Sequence, residues 1–315
     1  LSGLRGAGHE PACDVVVMAI PAEEAGAWFP FGCPGSRAAL GTLPAHALDV
    51  ARLDTKRSLA AHMREQGFDP DAIRAGACPL QPHTVAAFVE LHIEQGPVLE
   101  ATGVSVGIVT GIPGSRRHRS GRVLGRWDHS GAAPRRFRSD AALAAAELTV
   151  RLDDAWAALE HQGHELVCTM CVLATPAQAG FGKVAGEAAF RLDARSLSQD
   201  ALDALFATLH ALVPDIEARR RVRIELGPES AGAPTPLHPG VIDALTRAAV
   251  EAGVAHRVMP SGGGHDASAF AQAGIPAGML FVRNQNGSHS PDEAMRMDDF
   301  AVACRVLMHW VLDAT

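Results

Sequence analysis

The run 90–100, E-L-H-I-E-Q-G-P-V-L-E, constrains the chain more than any other stretch. It sets an imidazole, two carboxylates and an amide (Glu90, His92, Glu94, Gln95) close together, then turns at Gly96-Pro97. Apolar segments flank it at 85–89 and 104–112. Burying so many polar groups is unfavourable unless they are paired or bind something. On pattern alone His92 reads as a metal ligand, a catalytic base or a hydrogen-bonded core histidine.

The surrounding pattern is that of an α/β protein. The run 14–20, D-V-V-V-M-A-I, is continuously β-branched and apolar, which predicts a strand buried on both faces. Glu23-Glu24 follow at its carboxyl end, where open α/β sheets collect their sites. The spacing predicts broken helix over 48–67, helix over 81–90 and a strand over 104–112 that Pro113-Gly114 close. The order then changes. Strand 121–128, helix 139–159, strands 166–174 and 187–195, helix 199–212 and strand 221–226 give βαββαβ, the order of a ferredoxin-like module. A Gly- and Pro-rich stretch, 228–239, reads as a linker back. Helix 239–253, a glycine turn at 261–264, a helix from His265, a buried strand at 277–282, a polar loop at 284–291 and a helix at 298–313 complete the chain. The expected architecture is a larger α/β domain from 1–113 and 231–315, with the βαββαβ module inserted at 114–230.

With 315 residues, two domains suit the length better than one. A net charge of −7 argues against nucleic-acid binding, and no apolar run approaches the ~20 residues of a membrane span. Six cysteines without framework spacing predict a reducing, cytoplasmic setting. The first residues lack the basic start and apolar stretch of a signal peptide and read as the tail of a helix begun upstream.

Four places carry chemistry. Adjacent carboxylates such as Glu23-Glu24 commonly face solvent, but such a pair can also divide labour, one holding a cation while the other takes a proton from water. His92 is the second place, and the loop 288–293, S-H-S-P-D-E, is the third. In the fourth, 261–266, S-G-G-G-H-D, the glycines and a helix start offer backbone N–H groups to a carboxylate. His265-Asp266 there read either as orienting the last helices or as touching substrate. Two histidines and a carboxylate near strand ends suggest a zinc-type site. Cys168 and Cys171 sit three apart in an expected strand and so point to opposite faces, a structural reading. The arginines of 116–119 and 135–138 read as solvated charges.

Taken in order, Glu23-Glu24, H-I-E-Q-G-P-V-L-E, V-T-G-I at 109–112, H-S-G-A-A-P at 129–134, L-D-A-R at 192–195, S-G-G-G-H-D-A and G-S-H-S-P-D-E resemble the amidase/hydantoinase-carbamoylase branch of the M20 metallopeptidase-like family. That branch holds N-carbamoyl-L-amino-acid hydrolases, β-ureidopropionases and allantoate amidohydrolases. The resemblance implies a zinc-peptidase-like catalytic domain with an inserted ferredoxin-like lid and dimerisation domain. It implies hydrolysis of a linear amide or ureido C–N bond in an N-carbamoyl amino acid or allantoate-like small molecule, with two divalent ions, zinc or manganese. Glu23 would be the general base. Glu24 and His289 would ligate one ion and His92 the other. His129 would polarise the scissile carbonyl across a homodimer, Arg195 would clamp the substrate carboxylate, and Gln95, Gly263 and Gly264 would orient the substrate. The family carries two further ligands upstream, a His in G-S-H-x-D and a bridging Asp in D-G. Neither motif occurs in the 22 residues before Glu23, where His9 and Asp14 stand in other contexts. The expectation is therefore a family member lacking its N-terminal segment. A second reading follows from it: a truncated, metal-poor, catalytically impaired homologue that binds small carboxylates.

Overall fold

A computed structural model of the chain describes residues 13–24 and 28–313, and Gly6, Gly8 and Pro11 singly before them. The chain divides into two compact units, 1–112 with 235–315, and 113–234.

The first unit is built on a four-stranded sheet in the order Phe88–Ile93, Ala277–Val282, Val106–Val109, His256–Met259. The outer pairs are parallel and the central pair is antiparallel. Ala277–Val282 is buried at every position, as its apolar run predicts for a strand covered on both faces. Alternate residues divide the core. Leu280 and Val282 pack with Val241, Leu245, Ala303 and Val306 of the helices Pro239–Glu251 and Met297–Asp313. Met279 and Phe281 pack on the other side with Phe270 of the helix Asp266–Gln272 and with Leu99. Gly278 is required where the first of these helices crosses, because a Cβ there would lie 2.4 Å from Val241 Cγ1.

Two expectations fail in this unit. The run 14–20 forms no strand: Val16 and Val17 are 76% and 85% exposed, and no ladder partner lies on either side among the described residues. Strand propensity is a preference for a pleated, half-buried surface, and without a neighbouring strand it yields only extended chain. The expected helix over 81–90 is a short 3-10 turn, Pro82–Thr84, followed by the strand Phe88–Ile93. Pairing in register with Ala277–Val282, from Phe88 opposite Ala277 to Ile93 opposite Val282, overrides the local pattern.

The second unit is an antiparallel sheet ordered Glu229–Gly232, Gly114–Leu124, Glu187–Ser196, Leu166–Ala174, with Arg223–Glu225 also paired to Gly114–Leu124. Glu187–Ser196 alternates buried and more exposed positions, the mark of a sheet with one covered face. The covering helices are Ala141–His161 and Gln199–Arg220, whose Leu148, Leu205, Phe206 and Leu209 meet Phe190 and Leu192. Both helices start on a side-chain cap, Asp140 to the Leu143 N–H and Ser198 to the Ala201 N–H. The second helix runs through Pro214, beyond the expected end at 212, and stops at Arg221 in the left-handed conformation. The expected linker 228–239 contributes the edge strand Glu229–Gly232. Arg116, expected in solvent, is held by Glu229 and Asp203 and lies 4.0 Å over the Phe206 ring. Among the described residues no helix is long and apolar enough to cross a membrane.

Candidate metal centre

The strand Phe88–Ile93 explains the site. Side chains two apart on a strand share a face, so Glu90 and His92 lie on the face of Phe88, whose ring stacks on Phe270 at 3.6 Å. That face meets the start of the helix Asp266–Gln272, where His265 is extended and 1% exposed. Glu23 enters from the extended segment before it. One ligand atom from each of Glu23, Glu90, His92 and His265 lies within 4.8 Å of all the others. His265 Nδ1 is 3.3 Å from Glu23 Oε1, and the His92 and His265 rings meet edge to face at 4.5 Å.

The far side of three of these groups is anchored. His92 Nδ1 donates to the Ile93 carbonyl at 2.7 Å, which leaves Nε2 as the lone-pair nitrogen. His265 Nε2 donates to Ser261 Oγ at 2.9 Å, because that hydroxyl gives its own proton to the Gly263 carbonyl. Glu90 Oε2 accepts the Ala267 N–H at 2.7 Å. Facing inward, Glu23 Oε1 and His265 Nδ1 are sealed from solvent and make no hydrogen bond among the described residues.

Burial, with the nearby charges of Asp266 and Glu23, pushes the Glu90 carboxyl up to about 8. Burial, with His265 beside it, holds the His92 imidazole below its ordinary range, and burial also raises Asp266. Two imidazoles and crowded carboxylates, with inward atoms that make no hydrogen bond among the described residues, form a donor set that a divalent cation fits.

Glu24 and His289 meet beside this cluster. Glu24 Oε1 lies 3.3 Å from His289 Nε2 and accepts from Gln95 Nε2 at 3.0 Å. Gln95 and His289 both take left-handed backbone, at φ 57° and 58°. The Gln95 N–H is held by Asn284 Oδ1, and the His289 N–H by Glu293 Oε2. A cleft lined by Ala22, Glu23, Glu24 and Trp28 opens at the carboxylate pair. Glu94 takes no part: it accepts the Val98 and Leu99 N–H groups at the start of a short helix. Gly96 makes room for that carboxylate, since a Cβ there would lie 2.8 Å from Glu94 Oε1.

The glycine turn differs from the expectation of open N–H donors. The Gly263 N–H is bonded to Ser261 Oγ, and the first helical N–H groups include the one taken by Glu90. His265 does not cap the helix through its side chain but points into the donor cluster. The motif resemblance gives neither Glu90 nor His265 a ligand role, although both stand in the polar runs that the sequence singles out. The usable signal was E-x-H within a strand, which places both groups on one face.

His129 and Arg195 belong to the second unit. His129 Nδ1 accepts both the Gly131 and Ala132 N–H groups at 3.1 Å, so its proton resides on Nε2. Arg195 donates to Asp193 Oδ2 from Nε and from Nη2, at 3.1 and 2.8 Å.

The sequence profile described as peptidase family M20/M25/M40 matches residues 1–313. The chain is 37% identical over 309 residues to the N-carbamoyl-L-amino acid amidohydrolase of Geobacillus stearothermophilus, covering 96% of this chain and 71% of that protein. It is 31% identical over 303 residues to the allantoate amidohydrolase of Escherichia coli (strain K12), covering 93% and 69%. Its fold is similar to that of a hydantoinase/carbamoylase family amidase from Burkholderia multivorans, with a TM-score of 0.84 at 25% identity over 99% of this chain and 73% of that one. The chain therefore belongs to the M20/M25/M40 peptidase family, on the side of its hydantoinase/carbamoylase amidases.

Proposed function

We propose that the chain hydrolyses a linear amide or ureido C–N bond in an N-carbamoyl amino acid or allantoate-like substrate, with divalent metal as cofactor. The observation that carries this reading is Glu23 Oε1, sealed from solvent and without a hydrogen bond among the described residues, beside two imidazoles at the edge of the Glu23–Glu24 cleft. The names of the similar amidohydrolases support it.

In this reading two divalent ions, zinc or manganese, are held by Glu24 with His289 and by His92. The metal supplies Lewis-acid polarisation of the scissile carbonyl. Glu23 takes a proton from the attacking water. Water oxygen bonds to the carbonyl carbon, the C–N bond breaks, and the proton passes to the leaving nitrogen. A carbamate released in this way decomposes to ammonia and CO₂. His129, with its proton on Nε2, donates to the developing oxyanion. Arg195 receives the substrate carboxylate, sharing its guanidinium with Asp193, and Gln95 and the Gly264 backbone orient the substrate. The working form in this reading is a cytoplasmic homodimer joined through the 113–234 unit.

A second reading, a metal-poor homologue that only binds small carboxylates, has one observation in its favour. Among the described residues Glu24 and His289 belong to no group of three or more donors. Ammonia release from N-carbamoyl amino acids and from allantoate, in zinc- or manganese-loaded protein, separates the two. The hydrolase reading expects turnover that Glu23→Gln lowers by roughly 10²–10⁴-fold. Carboxylate binding without turnover would establish the second reading instead.

A further inference from the structure

Trp28 lines the cleft at Glu23-Glu24, and the hydrolase reading gives it no part. We propose that Trp28 is the specificity-determining wall of that cleft. It receives the side chain of the amino acid, so the chain takes N-carbamoyl amino acids with an apolar, above all aromatic, side chain in preference to allantoate-like ureides. The proposal rests on the hydrolase reading and narrows its substrate.

The ring is held in place from several sides. The next residue, Phe29, is buried with Leu43, Leu48 and Leu59, which anchors the backbone. The Trp28 carbonyl accepts the Leu53 N–H at 2.8 Å. The Arg52 guanidinium lies over the indole, 4.4 Å from the ring centroid, and donates to both Asp54 oxygens at 2.7 and 2.9 Å. A guanidinium stacked on an indole and forked onto a carboxylate fixes the ring. Trp28 nevertheless stays 47% exposed, a large apolar surface beside a pair of carboxylates. An apolar group laid on it removes water from both partners, and an aromatic one adds the ring-to-ring attraction.

The cleft measures about 290 Å³, close to the lower bound of small-molecule sites, roughly 300 Å³. In an N-carbamoyl amino acid the side chain stands on the carbon bonded to the leaving nitrogen. With the carbamoyl carbon at the water that Glu23 activates, that side chain reaches the indole across the same small cleft. Allantoate carries a second ureido group at that position. Among the described lining side chains only Glu23 and Glu24 accept hydrogen bonds, since the indole N–H donates and Ala22 does neither. In the hydrolase reading Glu23 serves the water and Glu24 the metal. The N–H groups of a second ureido would then lose water against Trp28 without gaining an acceptor, which is unfavourable.

The test compares N-carbamoyl-L-phenylalanine, N-carbamoylglycine and allantoate on the zinc- or manganese-loaded full chain. Ammonia release reads turnover, calorimetry reads binding, and circular dichroism reads folding. The phenylalanine derivative should exceed each of the other two in kcat/KM by at least about 10-fold. Trp28→Ala should lower the phenylalanine-to-glycine ratio by at least about 10-fold, through KM more than through kcat. Trp28→Phe keeps an aromatic wall and should hold that ratio within about 3-fold. A ratio that survives Trp28→Ala in folded protein overturns the proposal, as does a wild-type preference for allantoate. The wild-type preference needs no variant, so it decides alone if Trp28→Ala unfolds. Tighter binding of the phenylalanine derivative, levelled by Trp28→Ala, with no ammonia release would sink the hydrolase reading and leave this wall standing. Turnover without side-chain preference would do the reverse. Neither turnover nor binding of any of the three would overturn both.

Discussion

The two units obey local rules to different degrees. In 113–234 the two long helices have side-chain caps, the central strand alternates by exposure, and the apolar side chains meet in one cluster. Among the described residues, six of the seven non-glycine positions at positive φ fall in the other unit, and four of them, Ala22, Cys33, Gln95 and His289, border the donor cluster or the Glu24 pair. Each such residue costs on the order of 1 kcal/mol, and the unit also crowds the carboxylates of Glu23, Glu90 and Asp266 together. Consistency between sequence and local structure marks the unit organised by packing, and its local breakdown gathers in the unit that carries the candidate site.

Three changes can break or sharpen that contrast. The largest effect belongs to the packed unit. Phe206 is fully buried against Phe190 and the facing helix, and Phe206→Ala should lower stability by about 3–5 kcal/mol. Hydrogen exchange should place the loss within 113–234. An equal loss in the other unit would dissolve the distinction.

Next comes pH, in the metal-free chain. The folded Glu90 carboxyl titrates near 8, above its ordinary 4.5, so the folded state holds the proton longer. Its contribution is therefore favourable at low pH and is lost as pH rises from about 4.5 to about 8. His118 runs the other way. Burial holds it below 6.5, so stability present above that pH is lost as pH falls beneath it. Exchange corrected for its intrinsic rate should thus quicken in the first unit on going alkaline and in the second on going acid. Glu90→Gln should abolish the alkaline effect alone and stabilise metal-free protein above pH 8 by about 1–3 kcal/mol. The smallest effect is Ser198→Ala, which removes the acceptor for the Ala201 N–H. It should cost about 1 kcal/mol and leave metal affinity unchanged.

What could be read from the sequence follows the same division. The strands Leu166–Ala174 and Ala277–Val282 fall where their β-branched and apolar runs predict. Their neighbours supply what the pattern requires. The run 14–20 carries the same signal and fails because no adjacent strand meets it, a fact of tertiary structure that composition does not encode. The segment before His92 misleads for the opposite reason. Its local pattern favours helix, and a ladder with residues nearly two hundred positions later decides otherwise. Glu90 faces the same way as His92 only on a strand, so its place beside that imidazole follows from the ladder and not from the local pattern. Glu24 with His289 emerged as neighbours, as the motif resemblance implied, because both motifs come whole. His265 did not emerge as a donor, because its role depends on Ser261 turning the ring.

One side chain has a mechanical consequence. Asn284 holds the Gln95 N–H with its oxygen and the Gly287 carbonyl with its amide, and it is 1% exposed. The turn after one strand and the loop after its parallel neighbour are thereby pinned on a common axle. Moving the Gln95 turn away from the loop that carries His289 would break a buried hydrogen bond, so the two halves beside Glu24, far apart in the chain, resist separation.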